Sequence, residues 1–77
     1  MKIYTVVETF KEDNCVEPWK HSYPSWDSAK RAIVKNVNEN WEELKIFWMM
    51  PGLAMVAAEG GEPSIEYQIT ATELQDE

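Results

Sequence analysis

The chain has 77 residues, room for one domain, and a domain of that length buries only about 60% of the surface its unfolded form exposes, so its core is small. Fourteen Asp and Glu against seven Lys and Arg give a formal charge of −7, which opposes direct nucleic-acid binding; the one basic cluster is Lys30, Arg31 and Lys35. A single cysteine, Cys15, excludes an internal disulfide, and no apolar run approaches a membrane span, so the expected setting is a reducing cytoplasm without membrane association.

Residues 2–10 are rich in β-branched and aromatic side chains and free of Gly and Pro, which predicts a strand. Ile3, Thr5, Val7 and Thr9 fall on one face and Tyr4, Val6, Glu8 and Phe10 on the other. Both faces are partly apolar, as in a central strand. Lys11 to Asn14 (KEDN) predicts a turn, and the return segment 15–23 contains Pro18, which cannot donate to a ladder, so this second strand is an edge or irregular.

The stretch SWDSAKRAIVKNV, residues 25–37, has a helix period: Trp26, Ala29, Ile33 and Val37 form one apolar stripe. Ser25 is placed to cap it. Asp27 suits the positive end of the helix and precedes Arg31 by four residues, a pairing worth about 0.3–0.5 kcal/mol. Asn36, Asn38 and Asn40 are weak helix formers, so the helix is expected to end between Val37 and Asn40, with the chain turning near Trp41.

Residues 44–50, LKIFWMM, predict a strand with Leu44, Ile46, Trp48 and Met50 on one face and Lys45, Phe47 and Met49 on the other. Pro51-Gly52 predicts a tight turn into a partner strand, 53–58, ended by Gly60-Gly61. From Ser64 to Leu74 the alternation is clean, with Ile65, Tyr67, Ile69 and Ala71 inward. The tail, residues 75–77, is polar and expected to be loose. The whole is an α+β domain over 1–77, ordered β-β-α-β-β-β: a single helix on a four- to five-stranded, mainly antiparallel sheet, with the first and last strands expected as central neighbours.

Residues for catalysis are sparse. His21 is the sole imidazole and Cys15 the sole thiol. Pro18 lies between them, no orienting group or oxyanion donor accompanies them, and together they fall short of a zinc site. The adjacent acids Glu42-Glu43 and Asp76-Glu77 lack the convergence needed to share a proton or hold calcium, and Gly60-Gly61 is too short to cradle a phosphate. The expectation is a protein that is not an enzyme and uses no metal or cofactor.

Recognition is left, with two candidate features. The first is the cluster Trp41, Phe47, Trp48, Met49 and Met50, which either completes the core or offers soft contact area to a protein partner or to a second copy through the 44–50 strand. The second is the acid set Glu59, Glu62, Glu66, Glu73, Asp76 and Glu77, which forms either a solvated face or a negative docking edge. In the strand MKIYTVVETF, the capped helix SWDSAKRAIVKNV and the acidic ending SIEYQITATELQDE, the chain resembles the small acidic cytosolic proteins of phages and mobile elements, anti-CRISPR proteins among them. The resemblance is one of architecture and charge. It implies an inhibitor of a host defence complex that occupies a basic surface and carries over no functional residue; the candidate contact residues, Trp41, Phe47, Trp48, Met49, Met50, Glu59, Glu62 and Glu66, come from the two features above.

Overall fold

A computed structural model describes residues 2–58 and 60–73. The elements follow the order β1 (Lys2–Phe10), β2 (Cys15–Tyr23), α1 (Trp26–Asn40), β3 (Leu44–Met50), β4 (Leu53–Ala58) and β5 (Ile65–Glu73). Five strands form one antiparallel sheet in the spatial order β2-β1-β5-β4-β3, so the first and last strands are neighbours in its middle.

The helix begins where its cap predicts: the Ser28 amide donates to Ser25 Oγ at 3.1 Å. It runs through Asn40, at the far limit of the expected stop, with Trp41 as C-cap donating its amide to the Val37 carbonyl at 2.8 Å. Asn40 Nδ2 donates to the Asn36 carbonyl at 2.8 Å, one way this weak former is accommodated in the last turn. Ala29, Ile33 and Val37 of the stripe are fully buried against Val6, Ala54, Val56, Ile65, Tyr67 and Ile69 from three central strands.

The helix crosses the sheet obliquely. Its first turn lies over the β3–β4 hairpin, where the Trp26 ring fills the space a side chain at Gly52 would need: a Cβ there would sit 2.9 Å from Cη2 of Trp26. Gly52 also has φ +89°, so both sterics and backbone reserve that position for glycine. Its last turn lies near the far end of β1, where Trp41 packs edge-on against Phe10 with ring centroids 6.2 Å apart.

Two irregularities mark the edge strands. In β2 the register with β1 shifts between Thr5 and Val7, so that Val6 opposes the stretch between Pro18 and Ser22. In β3 a bulge between Trp48 and Met50 shifts the pairing with β4, and Met50 pairs with Leu53 instead of continuing the Leu44, Ile46, Trp48 alternation. The strict two-residue period expected for β3 therefore fails at its last two residues, because one extra residue is accommodated before the Pro51-Gly52 turn.

Candidate functional site

The helix covers one face of the sheet, and among the described residues nothing covers the other. Cross-strand pairing builds this open face in rows. One runs Val16, Thr9, Glu66, Met55, Phe47; the next runs Pro18, Val7, Gln68, Leu53, Met50. Polar residues hold its centre, because β5 alternates with Glu66, Gln68 and Thr70 outward. Apolar side chains hold its β3–β4 side, where Phe47 is 49%, Met49 63% and Met50 58% exposed. Exposed apolar groups clustered on one side of a sheet are a candidate contact surface.

The turns add a second property. The connections β1–β2, α1–β3 and β4–β5 all lie at the same end of the sheet, since Phe10 pairs with Cys15 and Ile65, and Leu44 pairs with Ala58. They gather Glu12, Asp13, Glu42, Glu43 and Glu62 there, all exposed, beside Glu39 and the C-terminal end of α1, whose dipole is negative. Lys11 and Lys45 are the cations close by, and Lys35 is committed to Glu39 at 3.9 Å. The other end carries the helix N-terminus with Asp27, Lys30 and Arg31. Charge is thus unevenly distributed, with the acidic end next to the β3–β4 side of the open face, where Met55 pairs with Phe47.

The residues singled out in the sequence are divided by this arrangement. Phe47 and Glu66 lie in one row of the open face, and Met49 and Met50 are exposed at the hairpin end of β3. Trp48 and Trp41 lie on the helix side: Trp48 sits beneath Lys30, whose Nζ is 5.0 Å from the ring centroid, and Trp41 packs on Phe10. Glu62 belongs to the acidic end. Glu59, Asp76 and Glu77 lie outside the described residues, as does the tail 75–77. Sequence reading missed Glu12, Asp13 and Glu39 as members of the acidic end, because chain order separates them and only the antiparallel topology unites them.

Behind the helix is a buried polar group around Glu8, whose face of β1 the sequence alone leaves unassigned and to which it gives no role. Glu8 is only 5% exposed; Tyr67 donates its hydroxyl to Glu8 Oε2 at 2.5 Å, and Asn36 Nδ2 donates to the Tyr67 oxygen at 3.1 Å and to Glu8 at 3.4 Å. Burial, then the adjoining Glu8, raise the pKa of the Tyr67 hydroxyl above the usual phenol value, so Tyr67 stays a donor. Asn36 also lines a groove of about 730 Å³ between α1 and β2, with Trp19, His21 and Lys35 among its walls. No buried side-chain N or O in the described residues lacks a partner, so these three groups satisfy one another. Cys15 and His21 lie six residues apart on β2, about 20 Å along an extended strand, and do not meet.

Among the described residues no three or more His, Cys, Asp or Glu are placed to hold a metal, and no helix is long and apolar enough to cross a membrane. No family model, curated protein or solved structure matches the chain, so its functional reading rests on its own residues.

Proposed function

We propose that this chain is a non-enzymatic binding protein that docks its open sheet face and acidic end onto a basic surface of a larger protein, in the manner of a phage-encoded inhibitor of a host defence complex. The observation that carries the reading is the adjacency of exposed Phe47 and its half-buried partner Met55 to carboxylates gathered from three connections. Apolar area supplies affinity, and the negative rim supplies steering and selectivity for a cationic groove. Glu8, its one buried acid among the described residues, is occupied by Tyr67 and Asn36, which suits a role in the core better than a role in proton transfer.

A competition assay tests this. A guide-RNA-loaded CRISPR effector, which holds nucleic acid in a positively charged channel, is given labelled DNA with and without the chain. The chain is expected to displace the DNA. Phe47→Lys, and separately Glu42→Lys with Glu43→Lys, are each expected to weaken displacement about tenfold, the effect of losing one interface anchor. Unchanged DNA binding across a panel of such effectors contradicts the proposal.

A further inference from the structure

The two edges of the sheet differ in how they are closed. β2 carries Pro18, the charges Glu17 and Lys20, and a register break, all of which discourage another strand. Among the described residues β3 pairs only with β4, contains no proline, has one charge, Lys45, in seven residues, and confines its bulge to the turn end, between Trp48 and Met50. Leu44, Ile46 and Trp48 are half-exposed on the helix side, and Phe47 is exposed on the open side. Above this edge, Val34 and Trp48 share a recess of about 520 Å³ between α1 and β3, whose rim charges are partly paired internally, Arg31 with Asp27 at 3.9 Å and Lys35 with Glu39 at 3.9 Å.

Charge decides what fits. Glu42 and Glu43 immediately precede β3. At its other end Lys30 lies beside Trp48, Met50 and Pro51, with Arg31 next to it on the helix. An edge that is acidic where it starts and basic where it finishes is complementary to itself when a copy runs antiparallel. We infer that the β3 edge pairs with β3 of a second copy about a two-fold axis at Phe47. That axis sets Ile46 of one chain against Trp48 of the other and brings Glu43 to the Met50–Pro51 end, within reach of Lys30, twice per dimer.

The axis stands perpendicular to the sheet, so both helices lie on one side and both open faces on the other. The two Phe47 rings become neighbours, so each copy completes the apolar patch of the other. The two acidic ends point in opposite directions, which limits repulsion between chains of charge −7. The closed β2 edges stop the sheet from growing further. This pairing stands whether or not the open face docks a basic partner, because its test requires no partner.

Sedimentation equilibrium of the full chain over a range of concentrations, up to millimolar, reads it directly, with far-UV circular dichroism confirming that each variant is folded. The expected mass is that of two chains. Phe47→Lys, which sets two cations against each other at the axis, is expected to raise the dimer Kd at least about tenfold. Lys30→Glu and Glu43→Lys, both at exposed or half-exposed positions, are each expected to raise it about threefold, and their combination to restore it. A monomer throughout the range overturns the inference and leaves the edge to a strand of another protein. A dimer unmoved by Phe47→Lys, or a combined charge reversal no tighter than the single ones, overturns it equally.

Discussion

Glu8, Asn36 and Tyr67 show what a few polar atoms contribute to a core this small. A carboxylate only 5% exposed would be costly alone; with a phenol and an amide donating to it, the desolvation is offset and the helix is tied to β1 and β5 at one defined position. Tyr67→Phe is therefore expected to lower stability at neutral pH by about 1–3 kcal/mol, since it removes the shorter of the two donations to Glu8. The same residue sets an alkaline limit. Its folded pKa lies above the ordinary 10.0, so the unfolded chain loses its proton first. Stability from this group is level below about pH 10 and falls above it by about 1.4 kcal/mol per pH unit until the folded hydroxyl also ionises. Urea unfolding followed by tryptophan fluorescence at pH 8 to 11 checks both points: the difference between wild type and Tyr67→Phe should shrink above pH 10, and a difference that stays constant contradicts the role given to Tyr67.

Each element follows from its local chemistry, and where it does not, a neighbour is responsible. α1 was readable because Trp26, Ala29, Ile33 and Val37 repeat at the helix period and Ser25 precedes them; Ser25→Ala is expected to lower the unfolding free energy by about 1 kcal/mol, measured by urea titration with an unchanged slope. The extent of β1 and the inward Ile65, Tyr67 and Ile69 of β5 were readable; which face of β1 turns inward was not, and Ala71, expected inward, is exposed. That β1 and β5 are neighbours was expected; that Glu8 meets Tyr67 was not readable, since it depends on their register and on where Asn36 lands. The β3 bulge was equally silent, because LKIFWMM alternates without a break in sequence and the extra residue appears only when the strand is paired with β4 through a short Pro51-Gly52 turn. Trp48 and Phe47, adjacent in the chain and both apolar, point to opposite sides of the sheet. One belongs to the core and the other to the surface, a distinction that composition alone leaves undecided.

At the scale of the molecule, topology turns a spread of acids into a gradient. Antiparallel order places three of the five connections at one end, and those three hold Glu12, Asp13, Glu42, Glu43 and Glu62, while Lys30 and Arg31 remain near the other end. A single helix buries the centre of one face of a five-stranded sheet, over β1, β5 and β4, and among the described residues leaves the other face uncovered. That uncovered face is the basis of the proposed docking, and the proposed β3 pairing would double it. The most direct measurement is a footprint by methyl and aromatic NMR of the chain bound to a CRISPR effector through its basic channel. The account predicts that resonances of Val16, Phe47, Met49, Met50 and Met55 shift or broaden, while those of Ala32 and Val34 on the helix side keep their positions. A footprint confined to Ala32, Val34 and the groove walls Trp19 and His21, with the open-face methionines unmoved, would contradict it.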